Sequence, residues 1–164
     1  MRFRFNAHVI AVFALSMLVS QSAGAVENPT EWVKKLYAKY ERQQATGSAL
    51  DLFKPDATDR LKKAIAAEAT CIKRTKGICG LDFDPVANAQ DFEITNVVVS
   101  SHAKVSTTQA SQGWVRATFS NGGAPQVIEY YFLQVRGDWL LDDVSDKTPG
   151  SEGWTLTKIL GRPS

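Results

Sequence analysis

Residues 80–92 read GLDFDPVANAQDF, and within them Asp82, Asp84, Asn88, Gln90 and Asp91 place five polar side chains in ten positions, interleaved with apolar ones. Closely spaced carboxylates and amides are the donors a hard cation takes, so one chemistry open to this segment is a cation or small-ligand site. It does not follow the EF-hand order, which breaks at Val86 and lacks the closing Glu. The other reading is structural. Asp84-Pro85 has the makings of a cap on a single helical turn, and Asn88 and Asp91 are suited to backbone donors where the chain enters a strand. The structural reading is the expectation adopted, with the ligand site kept as its alternative.

Cys71 and Cys79 are the second candidate pair, separated by the seven residues IKRTKGI. The spacing is not C-x-x-C, so a structural disulfide is expected over redox chemistry if the compartment is oxidising. Closing so short a ring is worth about 2.5 kcal/mol by loop entropy. Two cysteines and a single histidine outside the first segment are too few for a structural zinc, and no metal or cofactor is assigned. His102 lies in Ser100-Ser101-His102, read as a solvated hairpin loop. Neither G-x-S-x-G nor H-E-x-x-H occurs. One proton-transfer arrangement remains open, an interior carboxylate facing a tyrosine, with Asp142, Asp143, Glu129, Tyr130 and Tyr131 as pocket candidates. Against it stands a plain structural role, with the tyrosines in the core and the aspartates capping a strand end. No catalytic residue is assigned.

The elements that would position these groups fall into two halves. Asn28-Pro29-Thr30-Glu31 starts a helix, with Asn at the N-cap, Pro at N1 and Glu in a capping-box position. Trp32, Val33, Leu36, Tyr37 and Tyr40 recur at helical spacing, and Gly47 ends the segment. A second helix is expected from Thr58, burying Leu61, Ile65, Ala69 and Ile72 and running into the cysteine loop. From Phe92 the period becomes two. Strands are expected at 92–99, 103–108, 114–119, 127–135 and 139–144, with turns at Asn121-Gly122-Gly123 and Arg136-Gly137-Asp138. The stretch 127–135 is apolar on both faces and is placed centrally, covered on both sides. Residues 154–160 form a short helix or strand. The expected class is α+β: N-terminal helices on a curved antiparallel sheet of about five strands, in one domain over 26–164.

Residues 1–25 carry the marks of an export signal. Arg2 and Arg4 precede the apolar run AHVIAVFALSMLV, and Ser22-Ala23-Gly24-Ala25 offers an A-x-A cleavage pattern. Cleavage after Ala25 would remove two of the 19 Lys+Arg and none of the 17 Asp+Glu, leaving 17 of each. The basic balance that would argue for nucleic acid then lapses. No later apolar run is long enough to span a membrane, and no cysteine near the cleavage site invites a lipid anchor.

The order of helix, short loop, D-x-D-P-x-x-N-A-Q-D over 82–91 and a closing strand W-x-x-D-D-V resembles the YbjP/YqhG-like family of small exported bacterial envelope proteins. The resemblance implies a cystatin-like or nuclear-transport-factor-2-like cone fold and a periplasmic address, and no catalytic residues. The expected function is a soluble periplasmic binding or accessory protein whose partner is another envelope protein or a small ligand, with no nucleic acid and no membrane span. The alternatives are an enzyme or degenerate enzyme with an Asp/Tyr pocket in the cone, and an immunity protein against a delivered toxin.

Overall fold

A computed structural model of the protein describes residues 26–104 and 111–162. The proposed signal, residues 1–25, and part of the expected strand at 103–108 lie outside the described residues. The element order is α1 (Pro29–Glu41), α2 (Ala49–Phe53), a 3-10 turn (Lys54–Asp56), α3 (Asp59–Thr75), β1 (Ile94–Lys104), β2 (Gln112–Asn121), β3 (Ala124–Val135), β4 (Asp138–Asp146) and α4 (Leu156–Ile159). The strands form one antiparallel curved sheet in the order β1-β2-β3-β4. The class is α+β, as expected, with four strands among the described residues in place of about five.

The difference in count has a local cause. Ser100-Ser101-His102 was expected to turn, but its residues stay in the ladder opposite Arg116, Val115 and Trp114. The pairing energy of a long neighbour overrides the weak turn preference of two serines, and β1 runs unbroken from the expected strand at 92–99 through the serines to Lys104. The break in this strand falls earlier, at a bulge between Thr95 and Val98 where Asn96 takes φ +57°. The other two turns are two-residue hairpins. Gly122 (φ +54°) and Gly123 (φ +87°) join β2 to β3, and Arg136 (φ +55°) and Gly137 (φ +94°) join β3 to β4. Two successive positive φ values match the strands' own twist, which is why Gly-rich pairs stand there.

Helix α1 begins as its sequence predicts, the Asn28 side chain accepting from Thr30 N and Glu31 N. Glu31 does not reach back to close a capping box; it pairs with Lys34 at 2.8 Å. The face Val33, Leu36, Tyr37 and Tyr40 is buried against Val115, Ala117 and Phe119 of β2 and Ile128, Tyr130 and Phe132 of β3. Trp32 meets Phe132 (5.9 Å between ring centroids) and Tyr130 (6.2 Å), and Tyr37 meets Tyr130 edge-on at 6.2 Å. The buried hydroxyls are used in series: Tyr130 donates to Tyr37 at 3.1 Å, and Tyr37 donates to the Val86 carbonyl at 3.1 Å. Burial pushes both phenols well above their ordinary range.

Helix α3 corrects the sequence reading of its inner face. The buried stripe is Leu61, Ile65, Glu68 and Cys71, whereas Ala69 and Ile72 are exposed. Both sets have helical spacing; a carboxylate in the stripe hid the true one. Cys71 at the end of α3 is joined to Cys79 with an S–S length of 2.05 Å. Reduction with dithiothreitol is expected to remove about 2.5 kcal/mol of stability, read as a melting temperature lower by several degrees. An unchanged melting temperature in a sample shown by mass to be reduced would contradict this.

The outer edge of β4 is covered by three other segments. Val26 N donates to Trp139 O (2.9 Å), Thr58 N to Leu141 O (2.8 Å), and Asp146 N to Trp154 O (3.0 Å). These contacts bring the start of α3 and the C-terminal segment beside β4, which matters for the site below. No helix among the described residues is long and apolar enough to cross a membrane.

Candidate functional site

The second face of the sheet is only half covered. Alternation along the strands sends Trp114 and Arg116 of β2, Glu129, Tyr131 and Leu133 of β3, and Asp143 and Ser145 of β4 away from the core. Strand β3 was expected to be covered on both sides; its core face is, but Val127, Tyr131 and Leu133 on the other face are half-buried. Register aligns Trp114, Tyr131 and Asp143 in one row and Arg116, Glu129 and Ser145 in the next. Arg60 from α3 and Thr155 from the C-terminal segment wall the β4 side. The result is a groove of about 420 Å³, floored by Trp114, Tyr131 and Leu133, with Lys147 at its rim. That volume falls in the ~300–1,000 Å³ range of small-molecule sites.

A bulge shapes the acidic wall. Tyr131 pairs with Asp143 and Phe132 with Leu141, so Asp142 is the extra residue and both aspartates reach the same guanidinium. Arg60 Nη2 donates to Asp142 Oδ2 at 2.5 Å and to Asp143 Oδ2 at 3.2 Å, and Nε donates to Asp142 Oδ1 at 3.2 Å. Thr58 Oγ1 donates to Asp142 Oδ1 at 2.8 Å. Asp143 also accepts from the Thr157 amide (3.1 Å) and hydroxyl (2.6 Å). Hydrogen bonding to Asp142 and the charges of both aspartates hold Arg60 above its usual pKa.

The neighbouring row is a second closed network. Tyr131 donates to Glu129 Oε2 at 2.5 Å, while Arg116 Nη2 and Nε donate to Oε1 at 2.6 and 3.0 Å. Burial pushes Glu129 up, but the Tyr131 hydroxyl and Arg116, with Lys147 adding its charge, outweigh it and hold the carboxyl below its usual range. Burial and the hydrogen bond to Glu129 push the Tyr131 hydroxyl well above its own. At neutral pH the carboxylate is ionised and the phenol protonated, each stabilised by the other. A proton-transfer pair needs the opposite, with one group poised near the working pH.

The structure thus divides the pocket candidates. Tyr131, Asp142 and Asp143 line the groove, with Glu129 in the adjoining row, whereas Tyr130 is fully buried on the opposite face. His102 is exposed on β1 and stacks on Trp114, with centroids 5.5 Å apart and planes 12° apart. It is not in a loop.

The 82–91 segment lies elsewhere, against the end of α1. Asp84 Oδ1 accepts from Val86 N (2.7 Å) and Ala87 N (3.1 Å), and Oδ2 accepts from the Tyr40 hydroxyl (2.7 Å). Asn88 accepts from Trp154 Nε1 at 2.7 Å and donates to Gln126 at 2.8 Å. Asp82, Gln90 and Asp91 are exposed. Backbone donors at the strand entry were expected for the Asn88 and Asp91 side chains; Asn88 instead bonds the Trp154 and Gln126 side chains, and at Asp91 it is the backbone carbonyl that accepts, from Asn121 Nδ2 at 3.4 Å. Among the described residues no three His, Cys, Asp or Glu side chains are grouped to hold a metal ion.

Arg60, Trp114 and Lys147 were not singled out from sequence. Trp114 could have been, since alternation alone places it on the face opposite Val115, Ala117 and Phe119. For Arg60 no local signal exists; it reaches the site only because α3 starts beside β4.

Fold and groove together define an α+β module with a filled core and one open sheet face. No protein-family model and no curated protein matches the chain, so the YbjP/YqhG-like resemblance rests on its motif alone. Among solved structures the chain is similar to the phospholipid-binding protein of Ralstonia solanacearum, solved in complex with a phospholipid. The identity is 16% and the TM-score 0.32, with 79% of this chain and 66% of that chain covered. The functional reading therefore rests on this chain's own groove.

Proposed function

We propose that the protein is an exported, non-catalytic binding module that seats a small molecule in the groove on the open face of its sheet. The observation that carries this is the groove itself: an aromatic floor in a concave site, walled by side chains already bonded to one another. Asp142 and Asp143 spend their oxygens on Arg60, Thr58 and Thr157, and Glu129 spends its own on Tyr131 and Arg116. Such groups give a rigid, preorganised wall; none is left poised for proton transfer. The helix-covered side of the sheet, where the pocket of a cone-type enzyme would sit, is filled by Trp32, Tyr37 and Phe132. The signal-like residues 1–25 and the Cys71–Cys79 disulfide support a periplasmic address, as does the motif resemblance over 82–91.

A thermal-shift panel of small metabolites tests the reading. Compounds that raise the melting temperature of the parent protein are expected to lose that shift in Trp114→Ala, which removes the floor while leaving the core untouched. Compounds that stabilise both proteins equally would overturn it.

A further inference from the structure

The groove's charges are unequally committed, and this selects among ligands. Arg60 is held by Asp142, Asp143 and Thr157, and Arg116 by Glu129. Lys147 is exposed, lines the groove, and forms no ion pair or side-chain hydrogen bond with any described residue. Its backbone N–H donates to Val127 O at 2.8 Å, which fixes it at the end of the groove next to the Arg116–Glu129 row. With Glu129 cancelled by Arg116, that end carries one net positive charge. The Arg60, Asp142 and Asp143 end carries one net negative charge, but its carboxylates are saturated with donors and 15% and 10% exposed.

The floor adds shape. His102 on β1 stacks on the Trp114 indole, and Trp114 lines the groove beside its β3 neighbour Tyr131. An indole held by a stacked neighbour is a stacking platform for a flat ring.

Resting on the binding function proposed above, we infer that the groove is selective for organic anions that join a flat apolar ring system to one acidic group. The ring lies on Trp114 and Tyr131, and the anion meets Lys147. A charge-assisted contact at a half-exposed rim is worth roughly a tenfold change in affinity.

Two dyes with the same rings separate the possibilities: 1-anilinonaphthalene-8-sulfonate, which is anionic, and N-phenyl-1-naphthylamine, which lacks the sulfonate. Titrations followed by fluorescence should show the parent protein preferring the sulfonate. Lys147→Gln should weaken the sulfonate about tenfold and Lys147→Glu further, with the neutral dye unchanged in both. Lys147 is exposed, so both variants should fold, and their melting temperatures check it. Equal binding of the two dyes, unaffected at Lys147 but lost in Trp114→Ala, would overturn anion selectivity and leave the groove as a site. Failure of both dyes to bind, or binding indifferent to Trp114→Ala, would overturn the proposed function and this inference with it.

Discussion

Replacing Glu68 by alanine is expected to be among the most damaging single changes in the protein, lowering the unfolding free energy by about 4 kcal/mol. Glu68 is 2% exposed and pairs with no cation among the described residues; its carboxylate is satisfied by backbone donors. Oε1 accepts from Leu81 N at 3.1 Å, and Oε2 from Gly80 N at 3.2 Å and Gly161 N at 2.6 Å. One carboxylate on α3 thus holds both the strand of chain leaving the disulfide loop and the C-terminal end after α4. The two segments touch: a Cβ on Gly80 would stand 1.7 Å from Ile159 O, so no side chain fits there. Hydrogen bonds to a charged group are worth ~1.5–3 kcal/mol each, and alanine leaves three part-buried N–H groups to be rehydrated or orphaned. Glu68→Gln keeps one acceptor and should lose about half as much. Urea denaturation of both variants reads this directly. A loss below about 1 kcal/mol for alanine would mean that water replaces the carboxylate without cost.

Asp84→Ala is expected to cost about 3 kcal/mol, because the residue does two jobs. Oδ1 caps a single turn whose first amides belong to Val86 and Ala87, both fully buried. Oδ2 accepts a hydrogen bond from the hydroxyl of Tyr40, a residue 2% exposed whose phenol would otherwise be stranded. Asp84→Asn retains capping ability and should recover more than half of the loss. The same residue decides between the two sequence readings of 82–91. A structural role predicts that calcium leaves the melting temperature of the parent protein unchanged; a calcium-dependent rise, abolished in Asp84→Ala, would restore the cation site.

These two residues show what the sequence made legible and what it did not. Asp84 was readable because capping is local: the acceptor and the amides it serves lie within three positions. The start of α1, the hairpins at Gly122-Gly123 and Arg136-Gly137, and the core face of β3 were readable for the same reason. Glu68 was not, because its partners are twelve or more residues away and its charge argues against the buried stripe it belongs to. The unbroken β1 was missed because a turn preference was weighed without the neighbouring strand that overrides it. The groove was half readable. Tyr131, Asp142 and Asp143 were chosen for their chemistry, but the bulge that turns both aspartates toward Arg60 depends on register, and register is a tertiary property. Tyr130 and Tyr131 looked equivalent in sequence; alternation put one in the core and the other on the open face.

The central claim is that the ligand seats on the open face and not in the core. Heteronuclear NMR of the protein, titrated with 1-anilinonaphthalene-8-sulfonate, tests it most directly. The expected result is a set of shifts confined to 112–116, 129–133 and 143–147, with the Trp114 indole N–H moving most. Shifts centred on Val33, Tyr37 and Phe132, on the helix-covered side, would contradict it.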